Sequence, residues 1–328
     1  MPGELVFVTG AAGFVGTHVV LEALQAGYRV RGSVRRQTQV EKLKQFFGPK
    51  SSAEFVIVPD ITKPDAYDGV LDGVSFVCHV ASPLPSQSTN WRKDYIDPAV
   101  SGTITMLRAA QKVSSIKKVV ITASIADLTP WSGWPSPEEA VTEDHEYELN
   151  VDLNLDFETP FRAYHASKIL AAKASREFFA QEKPHFSVVS LHPTFIFGRN
   201  LLQESAKDIS GSSAMLWFSL KGPDQHIQMS NTVHISDVAQ AHIKSLRPDI
   251  TGYQKFLLSD EPGFKDWQDV LDFVKHRYPD EEWGNAPTPA KMNINVNKAG
   301  KMLNMEWRNW EKQVIDTVGP QLELLRQG

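Results

Sequence analysis

Residues 4–16 run Glu4-Leu5-Val6-Phe7-Val8-Thr9-Gly10-Ala11-Ala12-Gly13-Phe14-Val15-Gly16, and they decide the fold. The run through Thr9 is short, rich in Val, Leu and Phe, and not alternating, which predicts a strand buried on both faces. Gly10, Gly13 and Gly16 follow at three-residue spacing, and a helical pattern over 14–26, closed by Gly27, begins among them. Glycine permits the tight turn and a close backbone approach, while the amino end of the helix leaves N–H groups free for a pyrophosphate. The segment therefore points to a dinucleotide loop made by Gly10, Ala12, Gly13, Phe14, Val15 and Gly16. Its spacing departs from GxGxxG, and a plain strand-to-helix turn is the competing explanation.

Outward from that loop, strands are expected at 4–9, 28–34, 54–59, 74–80, 117–123 and 186–191, with helices at 14–26, 38–47, about 97–112 and about 160–182. Alternation of this kind requires crossovers between parallel neighbours, so the fold class is α/β, a Rossmann-type doubly wound parallel sheet with a smaller, mainly C-terminal lobe. Residues 1–190 form the expected dinucleotide domain, with 228–258 returning to it. Residues 191–227 and 259–328 form the expected substrate lobe. Within the latter, 199–227 is polar and Gly/Ser-containing, 232–247 suggests a short strand and helix, and helices are expected at about 264–276 and 309–325.

An NAD site wants an acid about 20 residues beyond the glycines, for the ribose 2′-OH. No Asp or Glu occurs between Glu22 and Glu41, where Arg29, Arg31, Arg35 and Arg36 stand instead. A guanidinium suits a 2′-phosphate through charge-assisted hydrogen bonds. NADP is thus expected over NAD, with Arg35 at the strand end the best placed and a solvated edge the plain alternative.

Tyr164-His165-Ala166-Ser167-Lys168 lies early in the longest helix, and i, i+4 spacing puts Tyr164 and Lys168 on one face. A phenol has a reference pKa of about 10, and an ammonium beside it makes it the better proton donor. Ser124 ends the fifth strand, at the sheet edge where such folds bind ligands, and its hydroxyl can hold a carbonyl oxygen. A serine that merely caps the strand end is the alternative.

Of 328 residues, 41% are hydrophobic and 22% charged, with a net charge of −5, which argues against a nucleic-acid binder. The single cysteine, Cys78, rules out an intrachain disulfide and a thiolate metal cluster. No apolar run reaches the roughly 18–20 residues of a membrane helix. A strand starting at Glu4 leaves no room for a signal peptide, so a soluble cytoplasmic protein without a membrane partner is expected.

Taken together, TGAAGFVG (9–16), VRGSVR (30–35), PDIT (59–62), HVASP (79–83), TAS (122–124), YHASK (164–168), HPTFIFG (192–198) and VHISDVAQAH (233–242) carry a resemblance. The chain resembles the extended short-chain dehydrogenase/reductases, in particular the dihydroflavonol reductase-like branch with its fungal aldehyde, ketone and methylglyoxal reductases. The likeness spans roughly the first 250 residues. It implies that Ser124, Tyr164 and Lys168 are the catalytic triad, with Tyr164 as proton donor in reduction. It implies NADP contacts from Arg35 and Lys42, from Asp60 and Ile61, from Val80, Ala81 and Ser82, and from Pro193, Thr194, Phe195 and Ile196, besides Tyr164, Lys168 and the glycine loop. Substrate contacts are expected from Ser82, Ser124, Trp131 and Tyr164. Two departures stand out: Ala123 where the family often has a second serine, and Arg199 where some relatives have proline.

The expected activity is NADPH-dependent reduction of an aldehyde or ketone by a monomer or homodimer. A sugar-nucleotide epimerase or dehydratase, and a non-catalytic dinucleotide-sensing regulator, stay open as alternatives. Nine acids in 138–158 read as a solvated loop rather than a cation site. Trp131 and Trp134 suit either a substrate roof or loop packing. His226, His234 and His242 lack metal-ligand spacing, so no metal is expected. Phe161, Ile169, Leu170 and Phe178 read as the core stripe of the long helix.

Overall fold

The computed structural model describes residues 3–82, 90–131, 135, 138–149, 157–222, 230–260, 263, 266–285 and 292–327. Trp134, Asp152, Asp156 and His226 lie outside the described residues. In chain order the elements are β1 (Leu5–Thr9), α1 (Phe14–Gln25), β2 (Arg29–Val34), α2 (Gln37–Phe47), β3 (Ala53–Ile57), β4 (Val74–His79), α3 (Asp97–Gln111), β5 (Lys118–Thr122) and α4 (Pro160–Glu182). They continue with β6 (Ser187–Pro193), β7 (Phe195–Phe197), α5 (Gly211–Lys221), β8 (Thr232–His234), α6 (Ile235–Lys244), β9 (Tyr253–Leu258), α7 (Trp267–Arg277), α8 (Asn297–Leu303) and α9 (Trp310–Gln327).

Seven strands form one sheet in the order β3-β2-β1-β4-β5-β6-β9. The pairs from β3 through β6 are all parallel, as the crossover helices demand. Every residue of β1 is buried, consistent with a central strand covered on both faces. The strand order reverses between β1 and β4, and a fold of this type opens its ligand crevice at that point. α4 is the longest helix. Thr159 caps it by accepting the Arg162 N–H, Pro160 occupies the first turn, and Lys183 closes it in the left-handed region at φ 45°.

The chain divides into two compact units. The first comprises Met1–Gly133, Glu143–His192 and Ala239–Phe256. The second comprises Trp134–Thr142, Pro193–Val238 and Leu257–Gly328. Of the segment 228–258, expected to return to the dinucleotide domain, Ala239–Phe256 falls in the first unit, while the stretch through Val238 and Leu257–Leu258 fall in the second, and β8 pairs with β7 rather than joining the large sheet. In the second unit a buried Asp237 receives the Arg308 guanidinium and its backbone N–H, and His234 bonds Asp316 at 3.0 Å. Gln313 reaches Asp260 at 3.4 Å, and burial pushes the Asp260 carboxyl up to about 6, with Asp237 and Glu311 adding to the shift. No helix among the described residues is long and apolar enough to cross a membrane.

Candidate active site

Two positions of the glycine loop, Gly10 and Gly16, exclude any side chain. A Cβ on Gly16 would stand 2.0 Å from the Gly10 carbonyl oxygen. Gly10 itself has φ +66°, and a Cβ there would crowd the Ala81 backbone at 3.2 Å. α1 opens on Gly13 with neither a capping side chain nor an acid in its first turn, so its first N–H groups are left for an anion. This cradle fits a dinucleotide pyrophosphate. Across the crevice, Thr9 Oγ1 accepts the N–H groups of Val80 and Ala81, each at 3.0 Å. Both lone pairs are then used, so the Thr9 hydroxyl donates its proton to His79 Nδ1 at 3.1 Å. Burial, with a smaller contribution from the Lys168 charge, pushes His79 down to about 4, which keeps the ring a neutral acceptor. Thr9 and His79 thus brace the Val80–Ser82 segment, a role the sequence motifs contained but did not reveal.

At the outer end of the crevice the four arginines separate. Arg31 is spoken for: it bonds Glu54 at 2.6 Å and the carbonyls of Val70 and Asp72. Arg29 begins β2, at the end away from the glycine loop. Arg35 and Arg36 follow the carboxyl end of β2, exposed, with both backbone N–H groups received by Gln39 Oε1. Lys42 lies half-buried on α2. Asp60 accepts the N–H and hydroxyl of Thr62, which hold its carboxyl below the usual range, and Lys63 and Arg35 help. Ile61 packs over Gly102 on α3, where a Cβ would meet it at 2.9 Å.

Ser124 is buried at 8% exposure directly beyond β5, and its Oγ accepts the Ala126 N–H at 3.2 Å. It therefore does cap the turn Ile125–Leu128, as the plainer alternative holds, but this uses a lone pair and leaves the hydroxyl proton to donate. That turn packs against α4. On α4, the Lys168 ammonium lies 5.4 Å from the centre of the Tyr164 ring and donates to Ser82 Oγ at 3.0 Å. A cleft beside it is lined by His79, Ser82, Thr103, Thr122, Lys168 and Ser190. Next to Tyr164, His165 Nε2 is held by the carbonyl and hydroxyl of Thr129.

The other expectations sort by the same contacts. Pro193, Thr194, Phe195 and Ile196 fall in the second unit, where Thr194 bonds Leu258 and Ser259 and Phe195 opens β7. Trp131 packs into the first unit against Phe157 and His165, with the Arg162 guanidinium 4.5 Å over its ring. The acidic loop is not simply solvated: Glu146 pairs with Arg176 and Lys255, and Glu148 with Lys173. His242 bonds Thr122 at 2.8 Å. Phe161 is 43% exposed, because it lies about 200° around α4 from buried Ala163, so the core stripe begins later than expected.

Residues 6–254 match the NAD dependent epimerase/dehydratase family. Ketoreductase sphI of Aspergillus fumigatus is 40% identical, covering 98% of this chain and 99% of its own length. NADPH-dependent methylglyoxal reductase GRE2 of Saccharomyces cerevisiae is 30% identical, covering 95% and 96% respectively. The crystal structure of yeast methylglyoxal/isovaleraldehyde reductase Gre2 complexed with NADPH superposes with a TM-score of 0.84 at 27% identity, over 99% of this chain and 100% of that one. The chain belongs to the NAD dependent epimerase/dehydratase family, the extended short-chain dehydrogenase/reductases.

Proposed function

We propose that this protein is an NADPH-dependent carbonyl reductase that turns an aldehyde or ketone into an alcohol. The observation that carries the reading is the hydrogen bond from Lys168 to Ser82, which joins the Tyr164 helix to the strand end facing the glycine loop. The 40% identity to a ketoreductase over nearly the whole chain supports the same chemistry. The pyrophosphate would lie on the loop Gly10–Gly16 and the α1 amino end. Arg35, with Lys42 behind it, would meet the 2′-phosphate. Asp60 and Ile61 would border the adenine, and Val80 to Ser82 the nicotinamide ribose, with Pro193 to Ile196 on the carboxamide side. Bound there, NADPH supplies the hydride.

The chain's own groups do the rest. Ser124 donates a hydrogen bond from its hydroxyl to the substrate oxygen and keeps its proton, stabilising charge as it develops. Tyr164 delivers a proton to the same oxygen, a contribution of typically about 10²–10⁴-fold in rate. Lys168 holds the ribose and lends its positive charge to the phenol. Ser82 orients Lys168 and borders the substrate, and Trp131, packed against Phe157, Arg162 and His165, would border the substrate as well. The protein works on a small carbonyl compound in the cytoplasm.

The test is a panel of aldehydes, α-dicarbonyls, β-ketoesters and aryl ketones assayed for NADPH consumption, with UDP-sugars as the opposing arm. Carbonyl-dependent oxidation of NADPH is expected. Turnover of a UDP-sugar without net NADPH consumption overturns the proposal in favour of an epimerase.

A further inference from the structure

Both backbone groups of Ser124 are held, and the side chains of Asp127 and His192 share the holding. The Ser124 N–H donates to Asp127 Oδ1 at 3.3 Å. The Ser124 carbonyl accepts the Asp127 N–H at 3.3 Å and lies 3.3 Å from His192 Nδ1. The same Nδ1 is 3.0 Å from Asp127 Oδ1. Both of its neighbours are oxygen acceptors, so Nδ1 carries the ring proton and shares it between them. His192 sits at the end of β6 beside the β5 strand that leads into Ser124, and the Ala123 N–H donates to the Leu191 carbonyl at 2.8 Å.

Stability alone does not account for this pair. The two side chains are each 1% exposed, yet Asp127 Oδ2 and His192 Nε2 have no hydrogen-bond partner among the described residues. A buried polar atom left unmatched costs on the order of 1–3 kcal/mol, and a well-packed apolar pair is often as stable as a buried ionic one. What the pair does secure is the orientation of the peptide units on both sides of Ser124. With N–H, C=O and one Oγ lone pair committed, the direction left to the hydroxyl proton is set by where those peptide planes are fixed.

We propose that His192 and Asp127 are positioning residues for the reduction: the shared Nδ1–H of His192 fixes the direction in which Ser124 presents its hydroxyl to the substrate carbonyl. The proposal rests on Ser124 being the hydroxyl that binds that oxygen. It is tested by steady-state kinetics with NADPH and methylglyoxal, or whichever panel carbonyl turns over best, together with NADPH affinity by fluorescence titration. His192→Phe keeps the volume and removes the donor. It is expected to lower kcat roughly tenfold or more while leaving NADPH affinity within about twofold, since positioning acts on the transition state rather than on cofactor binding. His192→Asn places an amide N–H near the Nδ1 position and is expected to recover most of the loss. On a Ser124→Ala background, His192→Phe is expected to cost nothing further, because it acts through that hydroxyl.

Full activity of His192→Phe, equal loss in the Asn and Phe variants, or multiplying losses in the double variant would each overturn the proposal. Wild-type kcat in Ser124→Ala overturns the assignment of Ser124 instead, which separates the two failures. His192→Leu serves the same comparison should the Phe variant not fold.

Discussion

Replacing Gly16 by alanine tests the cofactor cradle most sharply. The added Cβ would lie 2.0 Å from the Gly10 carbonyl oxygen, 2.8 Å from its carbon and 3.1 Å from Ala11 Cα, all backbone atoms that no rotamer change can move aside. Gly10 is itself held at φ +66°, with the Ala81 backbone 3.2 Å from where its Cβ would stand. The amino end of α1 must therefore shift by more than an ångström. Overpacking of this kind costs about 1–3 kcal/mol, a fall in Tm of roughly 1–4 °C for a chain of this size. The effect on binding is larger. Displacing the first turn sacrifices about two charge-assisted hydrogen bonds to a phosphate at about 1.5–3 kcal/mol each, so NADPH affinity should fall by roughly 10²–10⁴-fold. Gly13→Ala is the graded control, since its Cβ would meet only the Gly10 oxygen, at 3.2 Å, a contact that a shift of a few tenths of an ångström relieves. Differential scanning fluorimetry and fluorescence titration read both quantities. A Gly16→Ala protein binding NADPH within about threefold of wild type would refute the placement of the pyrophosphate, because the steric change is unavoidable.

Arg35→Ala should weaken NADPH by roughly 10- to 150-fold, the loss of one charge-assisted contact, and leave NADH nearly unchanged; equal effects on the two KM values would remove the 2′-phosphate from Arg35. In the second unit, burial first and then Asp237 and Glu311 raise Asp260 to about 6, against an ordinary 3.8, so the native state holds that proton more tightly than the unfolded chain. The sign follows: its stability contribution is intact below about pH 4 and is lost as pH rises through about 6. Asp260→Asn, which keeps an oxygen for Gln313, should raise Tm by a few degrees at pH 7.5, a gain of roughly 1–3 kcal/mol, and change it little at pH 4. A Tm gain of the same size at both pH values would contradict the linkage.

Some of this was legible in the chain because the geometry there dictates residue type locally. Gly16 is required by a contact within the loop itself and Gly10 by its positive φ, and the buried strands β1, β4, β5 and β6 each show as a short run rich in apolar residues. Tyr164 and Lys168 could be paired from spacing alone because a helix fixes which side chains share a face. The failures come where the deciding partner is remote. Arg31 looks like its neighbours Arg35 and Arg36 until Glu54 and the carbonyls of Val70 and Asp72 close around it. The acids Glu146 and Glu148 look solvated until Arg176, Lys255 and Lys173 fold back on them. α5 opens on Gly211-Ser-Ser, a polar start that hides a helix burying Leu216 and Trp217. β9 begins Tyr-Gln-Lys with those residues only half-buried, so its first half carries no strand period. His192 and Asp127, 65 positions apart, have no sequence signature at all.

In the proposed reaction this chain passes hydride to a carbonyl while Tyr164 supplies the proton. It is tested most directly by single-turnover NADPH oxidation with a reducible carbonyl, comparing wild type with Tyr164→Phe after NADPH binding has been matched by titration. Unchanged NADPH affinity and a rate lowered by about 10²–10⁴-fold are expected in the variant. A Tyr164→Phe protein that oxidises NADPH at close to the wild-type rate would contradict it.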